Sequence, residues 1–351
     1  MPEDGMGQYR LGWAAVTRLP VWPARALFFL IAEVVWRQRG SGVRQLHANL
    51  AQVTGAGPDS AQVRRLARRG VHSYLRYWRE FFQLSGARPP VTFEGLDRLP
   101  AAGSGRGAIL ALPHSGNWDL AGAALADLGH PITTVAERLR PEALYRRFVA
   151  HRAAVGIEVL PVDEPRRTVP ALGRRLAEGG VVCLLADRDV TGAGLPVRLH
   201  GRATTMPAGP ARLALSTGAA LIPASLWYSG RGLRVHLHEE IVASPAVGRR
   251  AQATAVTQAL ADVFTDAIRR HPQDWHVLQP VWPPAADPGL PAAAEPPALH
   301  PGGDRPERGE RARDHRQPER PSSADSPGIS QEANYAKTVR PDQTEKTALA
   351  D

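Results

Sequence analysis

Cysteine is almost absent from this chain: Cys183 stands alone in 351 residues. No intramolecular disulfide can form, so a disulfide-built secreted scaffold is excluded. One cysteine and 12 histidines supply no Cys/His cluster of the structural zinc type, and no metal site is expected. Lysine is nearly missing too, with only Lys337 and Lys346. No glycine triplet period and no internal repeat occur, which excludes a collagen-like chain or a solenoid. Long apolar runs are lacking. In Leu19–Trp36, the most apolar early stretch, the uninterrupted core Ala26–Ala32 is seven residues, against the ~20 that a membrane-spanning helix needs. The chain opens Met1-Pro2-Glu3-Asp4, acidic where a secretory leader is basic, so no leader is expected.

What is present is arginine. Residues 285–351 carry 9 Lys/Arg and 12 Asp/Glu, which leaves 34 basic and 22 acidic residues in 1–284. A body this basic is drawn to polyanions such as anionic lipid, nucleic acid or phosphorylated ligands, although many arginine stems simply cover helix faces. Arg18, Arg25, Arg37 and Arg39 flank the apolar stretch 19–36, and Trp13, Trp22 and Trp36 are residue types of the membrane interface. Two readings of this helix stand side by side: one lying on an anionic leaflet, the other packing against the body.

The first ~85 residues read as helices over Leu19–Arg39, Val43–Val53 and Ala61–Leu84, the last capped by Asp59 or Ser60. Beyond them strands and helices alternate. Strands are expected at Thr92–Gly95, Gly107–Leu112, Ile132–Ala136, Ile157–Pro161, Val181–Ala186, Ala220–Trp227 and Leu233–Ile241. Helices are expected at Asn117–Leu128, Pro141–Val155, Thr168–Glu178, Ala208–Thr217 and Ala251–Arg270. Gly201–Gly209 reads as a loop entering a helix. The pattern predicts an α/β fold: a mostly parallel sheet of about seven strands flanked by helices, with an N-terminal helical segment. Residues 1–284 form the expected domain, with 1–85 its helical, membrane-facing part. Residues 285–351 hold ten prolines, mixed charge and one aromatic, Tyr335, the composition of a disordered tail.

Active sites of such sheets lie at the carboxyl ends of the strands. There stands Gly107–Leu120, GAILALPHSGNWDL. Pro113 stops the strand, His114 follows it, Ser115-Gly116-Asn117 turn, and Trp118-Asp119 open a helix. Imidazole accepts a proton near neutrality, and a carboxylate on its other nitrogen fixes the tautomer. Asp119 in the first helical turn is the expected partner. Twelve histidines among 34 acidic residues give about one His-x4-acid pair by chance, so the strand end, glycine turn and helix start carry the weight. No G-x-S-x-G elbow presents a nucleophile, which points to a base activating a substrate hydroxyl. Cys183 lies in the apolar run VVCLL and reads as buried. His236 and His238 alternate on one strand face without further ligands. Trp275 and Trp282 read as packing the last segment onto the body.

The HSGNWD segment resembles the H-x4-D/E motif of glycerolipid acyltransferases. VAERL at 135–139, LLADRD at 184–189, GRATTMPAGPARLAL at 201–215 and DWHVLQPVW at 274–282 occur in order with it. Together they resemble the branch that contains lipid A lauroyl/myristoyl transferases and actinobacterial phosphatidylinositol mannoside acyltransferases. The likeness spans roughly residues 7–283 and is closest to the second group, which has Asp where the lipid A branch usually has Glu at the position of Asp119. It implies a membrane-associated, acyl-CoA-dependent O-acyltransferase that places a fatty acyl chain, palmitoyl-type, on a mannose hydroxyl of a phosphatidylinositol mannoside. His114 would be the general base and Asp119 its orienting acid. Substrate-binding residues implied are Asn117, Glu137, Arg138, Arg152, Asp187, Arg188, Asp189, Met206 and Pro207. Arg138 and Arg188 are the anion-binding candidates, against the alternative of ion pairs with Glu137 and Asp189. Arg146 and Arg147 join Arg152 as groups for CoA phosphates, lipid headgroups or plain solvent. Acyl-CoA is the donor substrate, no cofactor is implied, and no nucleic acid is expected. The expected location is peripheral, on the cytoplasmic face of the membrane, where CoA thioesters occur. Other readings are the same chemistry on another glycolipid or lysophospholipid, a thioester hydrolase, and a non-catalytic basic membrane-binding protein.

Overall fold

The computed structural model describes residues 12–283, apart from 102–103, 191 and 245–247. The expected tail at 285–351 lies outside the described residues. After helical residues 12–18 come three longer helices, α1 (Val21–Gln38), α2 (Ser41–Thr54) and α3 (Ala61–Phe82). Ser60 caps α3, its Oγ accepting from the Val63 N–H at 3.2 Å. Helix α1 buries Ala24, Phe28 and Ala32, one row at four-residue spacing, and packs on α3. Burying a side chain such as Phe28 contributes about 1.5–3 kcal/mol. Buried Glu33 adds a polar lock between the two helices, accepting from Arg68 and meeting His72 Nε2, each at 2.7 Å. The rest of α1 is uncovered: Trp22 is 77% exposed, Leu30 61% and Phe29 54%. The packing expected of this helix is therefore present on one face, while another face leaves apolar side chains uncovered. Trp13 departs from its expected interfacial place. It is buried edge-on among Phe81, Phe82, Phe148 and His151.

The central sheet comprises β1 (Val91–Glu94), β2 (Ala108–Leu112), β3 (Ile132–Ala136), β4 (Ile157–Pro161), β5 (Val181–Leu185), β8 (Ala220–Ser229) and β9 (Gly232–Leu237). These seven strands stand in the order β1-β9-β8-β2-β5-β3-β4. The five from β8 to β4 are parallel; β9 turns back antiparallel on β8, and β1 runs parallel to β9. Every residue of β2 is buried, as its unbroken apolar run requires of a strand covered on both faces. The helices between the strands are α4 (Trp118–Asp127), α5 (Glu142–Ala153), α6 (Pro165–Ala177) and α7 (Gly209–Thr217), and α8 (Arg249–Arg270) follows the last strand.

One element differs from expectation. Gly201–Gly209 is not a loop throughout: β6 (Leu195–Leu199) and β7 (Arg202–Met206) pair as an antiparallel hairpin of their own. The pair LPVRL and RATTM alternates buried and exposed positions around a His200-Gly201 turn in which both residues have positive φ. That is the two-residue hairpin pattern, obscured in the sequence by Pro196 and by a histidine where Asn or Asp usually stands.

Candidate active site

Strands β2 and β5 are adjacent, parallel and in register, with Leu112 opposite Leu185. Two residues beyond each lie His114 and Asp187, and their side chains meet. His114 Nδ1 lies 2.6 Å from Asp187 Oδ1, and the His114 backbone N–H donates to Asp187 Oδ2 at 3.0 Å. The Trp275 indole N–H donates to the same Oδ2 at 2.7 Å. Asp187 is fully buried, whereas the His114 side chain keeps 25% of its surface open. Burial alone would raise the Asp187 carboxyl, but the His114 imidazole and the donated hydrogen bonds outweigh it and hold the group below its ordinary value. An ionised Asp187 accepts a hydrogen bond from the Nδ1–H and leaves Nε2 as the basic nitrogen.

The expected His114–Asp119 pair does not form. Asp119 is buried in the first turn of α4 and accepts from Arg152 Nε at 2.6 Å, from Arg152 Nη2 at 3.1 Å and from the Tyr77 hydroxyl at 2.9 Å. The turn explains why. Gly116 adopts φ +61°, and a Cβ there would come within 3.0 Å of Leu226, so the chain reverses sharply between His114 and the helix. The start of α4 then presents Asp119 to α3 and α5. Trp118 fills the space between: its ring lies 5.6 Å from His114 and 4.3 Å from Tyr77.

The other expected site residues divide. Asn117 is buried as the cap of α4, its Oδ1 accepting from the Leu120 N–H and its amide donating to Glu80; both ends of the amide are engaged within the protein. Arg152 is likewise committed, to Asp119. Arg138 pairs with Asp163 at 3.2 Å and with Glu164, not with Glu137, so three nearby carboxylates including Glu142 compete with any phosphate. Glu137 is exposed and forms no ion pair among the described residues. Asp189 accepts from the Gly192 and Gly194 N–H groups and from Thr205 Oγ1, tying its loop to β7. Met206 is fully buried in the core, with Pro207 half-buried beside it. Arg188 stands apart from these. It is half-buried next to Asp187 and has no carboxylate within ion-pair distance among the described residues. Arg146 bonds Glu142 at 3.4 Å and Arg147 lies over the Trp13 ring at 4.9 Å.

Sequence reasoning missed Tyr77 and gave Trp275 only a packing role. Trp275 is indeed fully buried, yet its indole N–H orients the carboxylate that orients His114. The segment carrying it is pinned to the site twice more: the His276 N–H donates to the His114 carbonyl at 2.7 Å and the Gly116 N–H to the Asp274 carbonyl at 2.8 Å. A partly open histidine whose Nδ1 meets a buried, ionised carboxylate has the arrangement of a general base.

Comparison with known proteins decides the family. The family model described as bacterial lipid A biosynthesis acyltransferase matches residues 8–283. The chain belongs to this family. Among curated relatives, the phosphatidylinositol mannoside acyltransferase of Mycolicibacterium smegmatis is 44% identical over 281 residues, covering 78% of this chain and 90% of that protein. The protein of the same description from Mycobacterium tuberculosis H37Rv is 44% identical over 283 residues, covering 78% and 87%. Membership makes the chain an enzyme of acyl transfer, and HSGNWD, the segment that resembles the H-x4-D/E motif, lies within the matched residues. Its aspartate serves here as the anchor of Arg152, and the carboxylate on the histidine comes from LLADRD.

Proposed function

We propose that this enzyme moves a fatty acyl chain, palmitoyl-type, from acyl-CoA to a mannose hydroxyl of a phosphatidylinositol mannoside. The acceptor class is supported by the two mycobacterial relatives, whose names carry it. The observation that carries the mechanism is the His114–Asp187 pair at the ends of two neighbouring parallel strands. His114 Nε2 removes the proton from the mannose hydroxyl as that oxygen attacks the thioester carbonyl. Asp187 stabilises the imidazolium formed and itself stays ionised. Collapse of the tetrahedral intermediate breaks the C–S bond, and the proton passes from Nε2 to the departing CoA sulfur. No covalent enzyme intermediate is required, and acyl-CoA is donor substrate, with no cofactor in the scheme. Arg188 is the group for an anion of donor or acceptor.

The enzyme works at the cytoplasmic face of the membrane as a peripheral protein. No helix among the described residues is long and apolar enough to cross a membrane. Support for docking comes from α1, whose exposed Trp22, Phe29, Leu30 and Val34 offer apolar area to a lipid interface.

The test is transfer of labelled palmitate from palmitoyl-CoA to a panel of lipids, with wild type and His114→Ala in parallel. Label on a phosphatidylinositol mannoside that disappears in the variant supports the scheme. Label only on a lysophospholipid or another glycolipid changes the acceptor, and label released solely as free acid makes the protein a thioesterase.

A further inference from the structure

A groove of about 1220 Å³ runs along α3 and is walled by the end of α8, the β8–β9 turn and Phe29 of α1. It does not face His114. At ~100° per residue, Arg65, Arg69, His72 and Arg76 form one flank of α3, while Tyr74, Tyr77 and Trp78 form another, more than ~90° away. The second flank is the one that meets Trp118 and, through it, His114.

The groove is rich in guanidinium groups, and they differ in employment. Arg68 is held by Glu33, and Arg76 by Glu80 and the carbonyls of Gly230 and Arg231. His72 is taken up by Glu33 as well. Asp274, the acidic residue of the wall, is occupied by Ser73 Oγ and the Tyr228 N–H. Arg65, Arg69 and Arg269 are exposed and have no acidic or carbonyl partner among the described residues. Three unpaired guanidinium groups from two helices around one concavity make a positive well, and each can grip a phosphate by two parallel N–H bonds. Phe29 of α1 gives the groove an apolar wall, and Leu30 and Val34 are exposed further round the same helix, about 100° and 140° from Phe29. A ligand matching both parts has an anionic phosphate head and hydrocarbon tails.

We infer that this groove seats the phosphate headgroup of an anionic membrane phospholipid, separately from the acceptor at His114. Arg65, Arg69 and Arg269 hold the phosphate, and the acyl chains run into the leaflet beside Phe29, Leu30 and Val34. Such a lipid fixes the angle at which α1 and α3 meet the membrane. The inference rests on docking through α1 as proposed above for the placement of the tails.

The experiment uses the full chain and two vesicle types, phosphatidylcholine alone and phosphatidylcholine with phosphatidylglycerol. Phosphatidylglycerol is not a mannoside, so the acceptor site is not being read. In the triple variant Arg65→Gln/Arg69→Gln/Arg269→Gln, affinity for the anionic vesicles falls about 100-fold, roughly fivefold for each cation, and affinity for the neutral ones is unchanged. Arg269→Gln alone, on a different helix, gives about fivefold. Free inorganic phosphate does not displace the anionic vesicles, and calorimetric CoA binding is the same in wild type and triple variant. A triple variant that keeps its preference for anionic vesicles overturns the inference. So does one that loses CoA and keeps the vesicles, since the groove would then hold the donor's phosphates. Displacement by inorganic phosphate would also overturn it by making the site one for a soluble anion. In Trp22→Ser/Leu30→Ser, affinity falls for both vesicle types; wild type that binds neither vesicle removes the α1 docking itself.

Discussion

His114 and Asp187 are 73 residues apart in sequence and 2.6 Å apart in space. The register of β2 on β5 puts Leu112 beside Leu185, so the residues two positions on emerge together at the carboxyl end of the sheet. The histidine remains reachable while the carboxylate is sealed beneath it by Trp275.

Asp119 is a structural acid in this arrangement. Its bidentate pair with Arg152 is buried, and removing one member of such a pair costs about 3–5 kcal/mol because the other is left buried and uncompensated. Asp119→Leu and Arg152→Met both lower the urea midpoint of unfolding, and the double variant Asp119→Leu/Arg152→Met loses less than the sum of the two. Equilibrium unfolding of the three variants measures it; full additivity would contradict the pairing.

Among the described residues Arg188 has no carboxylate partner to abandon. Arg188→Ala therefore leaves the melting temperature unchanged and raises KM for a phosphorylated substrate by about 10- to 100-fold, the worth of one charge-assisted hydrogen bond. Steady-state kinetics with donor and acceptor varied in turn assigns the contact. Unchanged KM for both substrates would remove Arg188 from the site.

Two buried histidines set an acid limit on stability. Burial lowers His276 to about 3 and His200 to about 4. Each is neutral in the fold but takes up a proton in the unfolded chain below about pH 6.5. Their contribution is therefore intact above that pH and is lost as pH falls toward the folded values. Each adds a slope of about 1.4 kcal/mol per pH unit across that window. Chemical denaturation between pH 7 and pH 4 measures the slope, and His276→Gln flattens it by one proton's worth.

The proposed docking through α1 rests on its exposed apolar side chains. Trp22→Ser/Leu30→Ser removes two exposed side chains, each worth about 1.5–3 kcal/mol when buried. The double variant co-sediments with vesicles at least 100-fold less strongly, with α1 still packed through Phe28. Unaltered co-sedimentation would place the membrane contact elsewhere.

Most of the fold is legible in the chain because the buried strands are short, unbroken apolar runs separated by helix-length segments, of which α4 alone begins with a capping side chain, Asn117. Ile132–Ala136 and Ile157–Pro161 fall where the runs predict. The β6–β7 hairpin does not, since Pro196 and the polar RATTM mask its alternation. His114 is legible from the strand stop at Pro113 and the glycine turn. Its partner is not: LLADRD marks Asp187 as a site residue, but only the strand order, which no local pattern encodes, sets β5 beside β2. The role of Trp275 is hidden for the same reason, because a task for an indole N–H depends on what a distant segment brings to it.

The most direct test compares Asp187→Asn with Asp119→Asn in one assay, transfer of labelled palmitate from palmitoyl-CoA to phosphatidylinositol mannoside, with melting curves alongside. An amide at 187 keeps the hydrogen bond from Trp275 but loses the charge that fixes the His114 tautomer, so kcat falls by about 10⁴-fold with the melting temperature preserved. Asp119→Asn does the reverse: stability drops first, and the folded fraction retains most of its kcat. Near-normal kcat in Asp187→Asn, with activity lost in a stably folded Asp119→Asn, would contradict the account.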